Sequence, residues 1–509
     1  MKKNKYYITT PIYYVNDKPH LGHAYTSLVS DTIARYQKLL KKDVFFITGT
    51  DEHGQKVEEA AKNNGVIPID FVDIVSRKFT DLADSLELTN NDFIRTSERR
   101  HTTYVQKIWK KIELNDDIYL GSYKGWYSLR DESFITENEI ITDKDNNKIG
   151  PSKDKLKWVE EPSYFFKLSK WQDKLLNFYQ DNPDFVKPKS RYNEVVNFVQ
   201  RGLQDLSISR TSFSWGIKVP SSPDHVIYVW LDALFNYISI LDTPLKYEKY
   251  WPPDVHIVGK DILRFHAVFW PAFLMSCGIT LPKRVFAHGW WTIGGEKMSK
   301  SLGNVIDPNY LVKKYGKDQI RYFLLREITF GDDGNFSEDS LVRRINSDLT
   351  NDFGNLVQRV LSMVIKYNQG TVFDKINVKK ADLVLMKMPE QYFETYCKYM
   401  NNFEFSNSIK LIWDIIKKAN FYVDDSAPWS LYKKDPDRLK TVLNILVNVI
   451  FKINVLVQPF LPISSKKIFI QLNLNPTNNF SCIYNEIEVG SKINKPEGVF
   501  PRINTSKDK

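Results

Sequence analysis

"KYYITTPIYYVNDKPHLGHAYTSLVSD", residues 5–31, decides how this chain is read. Its first ten residues are mostly aromatic and β-branched, the composition of a strand. "VNDKP" is a turn, and an apolar pattern of helical period then carries on to Leu40. Pro19 fits the first helical turn, where a missing N–H is no loss. Next, "DVFFITGTDEHGQK" (43–56) is a second strand ending in polar residues, and "VEEAAKNNG" (57–65) is a helix stopped at Gly65. Strand, helix, strand, helix opens a parallel α/β sheet. Such sheets collect ligands at the carboxyl ends of their strands. Both polar clusters, Tyr14 to His23 and Asp51 to His53, lie at that edge. Two of the chain's eight histidines, His20 and His23, stand three apart at the helix start. Unbonded N–H groups and the helix dipole favour an anion there. Imidazoles can donate to phosphate oxygens, and Gly22 lets a flat ring approach the backbone. Taken alone, the pair also reads as two capping histidines or a lone metal pair.

A chain of 509 residues is too long for one core and implies three or so domains. Lys+Arg of 71 against Asp+Glu of 61 gives +10, which suits a polyanion such as RNA. A general richness in Lys, Asn and Ile explains the same excess. Cys277, Cys397 and Cys482 are far apart, with no C-x-x-C, so neither a disulfide framework nor a cysteine zinc site is indicated. A reducing cytosol fits, and the N-terminus has no signal-peptide core. "LNILVNVIFKINVLVQPFLPI" (443–463) is the longest apolar run. Asn444, Asn448 and Lys452 recur every four residues and give it one polar face, so it reads as a buried-face helix rather than a membrane span.

The expected organisation is a Rossmann-like parallel-sheet domain in two halves, 1–115 and 196–340. An insertion of short β pieces and turns, 116–195, separates them. Long amphipathic stretches over 341–472 form an all-α bundle. The tail, 473–509, is rich in Asn, Lys and Pro and reads as loosely ordered from about 475.

A second motif narrows the chemistry. "GGEKMSKSLGN" (294–304) places Lys297 and Lys300 in a Gly-flanked loop, with hydroxyls on Ser299 and Ser301. Point charges of this kind suit a triphosphate; a solvated surface loop is the plain alternative. "HLGH" near the first strand and "KMSKS" after a late one together resemble the signature pair of class I aminoacyl-tRNA synthetases. The space between them cannot hold the large editing insertion of the leucine, isoleucine and valine enzymes, and the cysteine enzyme's zinc ligands are missing. "TTPIYYVNDKPHLGHAYTSLVSD", "FITGTDEHGQK", "YVWLDALFNYI", "HIVGKDILRFHAVFWPAFL", "GEKMSKSLGNVIDP" and "APW" are similar to the methionyl-tRNA synthetases over roughly residues 5–465.

The resemblance implies a methionine–tRNA ligase that forms methionyl-adenylate and then charges tRNA. It implies catalytic roles for His20, His23, Lys297 and Lys300. ATP would be held by these together with Gly22, Met298, Ser299 and Ser301. Methionine would be held by Ile12, Tyr14, Asp51, Trp230, Ala233, Tyr237, Ile262 and His266. Aromatic walls suit a thioether, and Asp51 would take the ammonium group. Read without the resemblance, Trp230 and Tyr237, seven apart, are plain core aromatics on one helix face. Asn355, Arg359 and Trp429 would read the anticodon, Trp429 by stacking. The implied partners are tRNA(Met), including initiator tRNA, L-methionine and ATP with Mg2+, in a cytoplasmic monomer with no membrane association.

One departure stands out. Many relatives carry a zinc knuckle in a "GWY-C-x-x-C" context, where this chain has "GWYSLRDESF" with Ser128 and Asp131. These cannot complete a tetrahedral zinc site. No zinc is expected, and Trp126, Tyr127 and Trp158 are the expected anchors of the insertion. Two other classes compete: a catalytically dead RNA-binding relative, and a small-molecule nucleotidyltransferase that shares H-x-G-H. The first would have lost the signature residues, and the second would not need the helical domain.

Overall fold

The computed structural model describes residues 4–15, 18–128, 133–135, 137–151, 153–298 and 303–504. Its centre is a six-stranded sheet of β1 (Lys5–Tyr14), β2 (Asp43–Asp51), β3 (Asp92–Arg95), β4 (Val186–Lys187), β5 (Val255–Gly259) and β6 (Val285–His288). All neighbours run parallel, in the order β3-β2-β1-β5-β6-β4. Within β1 the side chains alternate: Tyr6 and Ile8 enter one core and Tyr7 the other. Pro11 has no N–H for the ladder, and the β1–β2 register shifts between Thr9 and Ile12. Gly49 is required in β2, because a Cβ there would lie 2.1 Å from the Ile94 carbonyl oxygen of β3.

The chain leaves β1 for β2 on one side, and β5 and β6 lie on the other. Strand order therefore reverses at β1/β5, which opens a crevice at the carboxyl ends of these two strands. Helix α1 (Leu21–Leu39) starts at that crevice. Pro19 sits just before the helix, not in its first turn, because His20 is the N-cap.

The insertion is built on an antiparallel ladder between Ile118–Ser128 and Lys157–Phe166. Of its expected anchors, Tyr127 is buried, whereas Trp158 is exposed and meets Trp126 edge to face at 5.5 Å. Ser128 donates to Asp154 at 2.7 Å across the turn region.

A continuous helix then leads out of the sheet domain: α-helical from Glu338 to Arg344, π-helical over Ile345–Gly354, and α-helical again over Asn355–Asn368. Helices Lys380–Asn401 and Phe405–Ser426 pack around Pro436–Val457. That last helix is apolar and long enough to cross a membrane, but it is almost wholly buried in the bundle. Its polar stripe is buried too. Asn444 donates to the Phe373 carbonyl at 2.7 Å, Asn448 accepts from the Ile487 N–H at 2.7 Å, and Lys452 is paired with Glu390. The stripe therefore fastens neighbouring segments instead of facing solvent.

The tail also differs from expectation. Phe480, Ile483, Ile487, Ile493, Val499 and Phe500 are buried in the bundle core. Backbone bonds join Ser491 to Val372, Ile493 to Gly370 and Asn494 to Gln471. Its apolar residues are sparse and follow no helical or strand period, which is why the composition resembles a solvated segment.

Candidate active site and RNA-facing surface

The start of α1 is held by its own histidines. The Gly22 N–H donates to His20 Nδ1 at 3.0 Å, and the His20 N–H donates to His23 Nδ1 at 3.1 Å. With each Nδ1 accepting, the proton of each neutral ring is on Nε2. The rings lie 3.8 Å apart. Burial, helped by the Lys297 charge, holds His20 down at about 4, and burial with the neighbouring His20 pushes His23 well below the usual histidine range. Both are thus neutral N–H donors near neutrality. Tyr13 braces His23 edge-on at 4.8 Å and stacks on Phe79. Gly22 is needed for the His20 ring itself, since a Cβ would lie 2.8 Å from Cε1.

The late motif meets this helix from β6. The Leu21 N–H donates to the Ile306 carbonyl at 3.2 Å, and Thr26 Oγ1 lies 2.8 Å from His288 Nε2 at the end of β6. Lys297 is half-exposed, 3.9 Å from the Trp290 ring centroid and 3.9 Å from Asp261. Trp290 Nε1 donates to Asp261 at 3.2 Å. Met298 packs against the core. Ser299, Lys300 and Ser301 lie outside the described residues, as does Asp131 of the insertion.

The residues expected to hold methionine surround one region. Tyr14 ends β1 beside Asp51, which ends β2 and is buried; Ile12 and Tyr14 pack on the same core as Trp230 and Ile262. Trp230 and Tyr237 do not share one straight helix: Val229–Leu234 and Asn236–Ser239 are separate turns joined at Phe235. Trp230 stacks on Phe265 at 3.7 Å, Ala233 is buried, and Tyr237 is buried with its hydroxyl 2.7 Å from His266 Nε2. His266 Nδ1 lies 3.0 Å from the Ile262 carbonyl, so it carries the proton and Nε2 accepts from Tyr237. Behind them Trp270 Nε1 donates to His256 Nε2 at 3.3 Å, leaving the His256 Nδ1 proton for Thr9 at 2.7 Å. Burial holds His266 at about 4 and His256 well below the usual range. The result is a network of neutral groups with each proton assigned by its partners.

Several supporting residues are not legible as such in the motifs. Asp261 and Trp290 fix Lys297. Buried Glu52 takes Arg95 through both oxygens, at 2.7 and 3.1 Å, together with Ser97 and Thr50. Buried Asp232 lies between His53 Nδ1 at 2.6 Å and His101 Nε2 at 2.7 Å. Burial raises the Asp232 carboxyl, but the two imidazoles more than offset this and hold it below the usual range. This fastens "DEH" after β2 to "WLDAL". Only the Asp and His residue types hinted at it, because the partners are 131 and 179 positions apart.

In the bundle, Asn355 is exposed at the start of the Asn355–Asn368 helix. Arg359 is one turn on, paired with Asp424 at 2.8 Å and 5.9 Å from the Trp429 ring. Trp429 is 51% exposed. Asn355, Arg359 and Trp429 therefore meet on one face. Among the described residues, no group of three or more His, Cys, Asp or Glu side chains is placed to hold a metal ion.

Residues 6–361 match the family described as tRNA synthetases class I (M), and residues 372–509 match the anticodon binding domain of methionyl tRNA ligase. The methionine–tRNA ligase of Rickettsia felis is 51% identical, covering 98% of this chain and 99% of its own. That of Brucella suis is 47% identical, covering 99% and 98%. Mycobacterium tuberculosis methionyl-tRNA synthetase in complex with methionyl-adenylate superposes with a TM-score of 0.95 at 44% identity, covering 98% of this chain and 100% of that one. The free-state form of the mycobacterial enzyme gives 0.88 at 40% identity, with 98% of both chains covered. Family matches over both parts of the chain and full-length relatives near 50% identity establish that the chain belongs to the methionine–tRNA ligases, class I aminoacyl-tRNA synthetases.

Proposed function

We propose that the chain activates L-methionine with ATP at the β1/β5 crevice and transfers it to the terminal adenosine of tRNA(Met), initiator tRNA included. The observation that carries this reading is the reciprocal His20–His23 cap, two neutral donors at a helix start, with Lys297 close enough to depress His20.

Methionine enters beside Tyr14, Trp230, Ala233, Tyr237, Ile262 and His266. Its ammonium group meets Asp51, which orients the carboxylate. A carboxylate oxygen attacks the α-phosphorus of ATP, the bond to the β-phosphate bridging oxygen breaks, and pyrophosphate leaves. No protein nucleophile is required. His20 and His23 donate Nε2–H to phosphate oxygens, and the α1 amino end adds its dipole. Lys297 swings from Trp290 and Asp261 onto the triphosphate, joined by Lys300. Neutral imidazoles suit this task, since they donate without titrating near pH 7. Mg2+ is expected on the ATP phosphates themselves, and no protein ligand is assigned to it. A hydroxyl of the terminal adenosine then attacks the methionyl carbonyl carbon, and AMP leaves. Asn355, Arg359 and Trp429 read the anticodon. The working form we propose is a cytoplasmic monomer without structural zinc, the insertion being closed by Ser128–Asp154 and Trp126–Trp158.

Pyrophosphate exchange that requires methionine, followed by charging of a tRNA(Met) transcript, tests the proposal. Exchange independent of methionine, or exchange without charging, would contradict it. Trp429→Ala is expected to lower charging while exchange persists; equal loss in both assays would remove the anticodon role.

A further inference from the structure

The face that carries Arg359 and Trp429 continues beyond them. Helix Pro428–Lys434 presents Trp429 and Tyr432, three apart and so neighbours on one side. Helix Asn355–Asn368 presents Arg359 and, eight residues on, Tyr367, roughly 12 Å further along the axis. The two helices touch twice. Arg359 lies over Trp429, and Tyr367 stacks on Tyr432 with ring centroids 4.6 Å apart and planes at 23°. The Phe286–Phe330 stack, by contrast, has both rings buried. Tyr432 remains 50% exposed, close to the 51% of Trp429. Lysines flank it, and the acids that follow them in the chain are engaged elsewhere, Asp435 by the Arg438 N–H at 3.0 Å and Asp437 by Lys440 at 2.8 Å. Lys366 lies 5.3 Å from the Tyr367 ring, and Lys433 and Lys434 follow Tyr432 directly. All three lysines are exposed, and none makes an ion pair among the described residues. Asp424 on this face is already taken by Arg359.

We propose that Tyr432, backed by Tyr367, is a second stacking position for an unpaired nucleotide of the tRNA anticodon loop, its flanking phosphates lying over Lys366, Lys433 and Lys434. This rests on the reading of Trp429 as the first stacking position. An exposed, rigid aromatic surface beside unpaired cations matches a base next to its phosphates. The stacked pair holds the ring in place before RNA arrives, so little side-chain freedom is lost on binding.

The test uses the full-length enzyme and tRNA(Met) transcripts carrying 2-aminopurine at one anticodon-loop position at a time, since stacking on an aromatic ring quenches its fluorescence. Quenching is expected at two separate loop positions. Tyr432→Ala should restore fluorescence at one and leave the other, and Trp429→Ala should do the reverse. The KM for tRNA should rise about tenfold in Tyr432→Ala and stay near the parent value in Tyr432→Phe. A Lys433→Ala/Lys434→Ala variant, which disturbs no packing, should raise the same KM and flatten its salt dependence. The proposal is overturned if Tyr432→Ala keeps both the parent KM and the parent quenching pattern. It is also overturned if that variant loses quenching only where Trp429→Ala does. If Trp429→Ala alone leaves both quenched positions intact, the first stacking position fails while the Tyr432 site stands.

Discussion

Gly22 shows most sharply how a single residue sets the chemistry. The helix start needs His20 folded back over its own backbone, and an alanine methyl would strike that ring at 2.8 Å. Gly22→Ala is expected to turn His20 aside and lower the rate of adenylate formation roughly a hundredfold, with methionine affinity little changed. Rapid-quench kinetics and a methionine titration separate the two effects. Titration of buried histidines is the other residue-scale consequence. His20 and His266 are held at about 4, against 6.5 when unburied. Between these values the unfolded chain binds more protons than the native one, so stability rises with pH across that window. Urea unfolding should show stability falling from pH 6.5 towards 4, by up to about 3 kcal/mol per histidine, with no such slope from these groups above pH 7. His266→Gln should make the slope shallower; an unchanged slope would refute the assignment. At this scale the motifs were legible where chemistry demands rare residue types at fixed spacing, as in "HLGH". Asp261, Trp290 and the His53–Asp232–His101 chain were not, because their meaning depends on contacts across the fold.

At the scale of elements, the first strand and the helix after it are legible because their punctuation is strong, although Pro19 precedes the helix and Asn16 and Asp17 of the expected turn lie outside the described residues. A β-rich run and a histidine cap mark the strand Lys5–Tyr14 and the helix Leu21–Leu39. The two-residue strands and the π-helical stretch Ile345–Gly354 carry no such signal, since tertiary contacts make them. Asp348 in that stretch accepts from Tyr322 at 2.8 Å, and its carbonyl takes the Trp413 indole N–H. The tail is illegible for a different reason: it contributes isolated anchors and not a periodic face. Phe480 alone meets Tyr36, Phe393 and Tyr396. Phe480→Ala is expected to destabilise the protein by about 3–5 kcal/mol, read as a lower denaturant midpoint. A midpoint equal to the parent's would mean that the tail is not part of the cooperative bundle.

Across the whole molecule, one buried cation joins the parts. Arg321 pairs with Asp31 of α1 at 2.7 Å and donates to the carbonyls of Pro459 at 3.0 Å and Phe460 at 3.2 Å in the bundle. Asp31 is also held by Arg35 and by Thr89. Burial raises its carboxyl, yet Arg321 and Arg35 keep it ionised and below the usual range. The helix that begins at His20 and His23 is thereby tied to the C-terminal bundle, which matches the anticodon binding domain. Arg321→Leu removes one of the two cations paired with buried Asp31, leaving Arg35, and should reduce stability by about 3 kcal/mol; no loss in urea unfolding would contradict this. At the crevice that this frame holds open, Lys297 is proposed to move from Trp290 and Asp261 onto the triphosphate. Single-turnover formation of methionyl-adenylate by Lys297→Ala, alongside methionine binding followed by tryptophan fluorescence, tests it most directly. The predicted result is a rate constant lower by about a hundredfold or more with methionine affinity close to that of the parent. An unchanged rate, or a parallel loss of methionine binding, would contradict it.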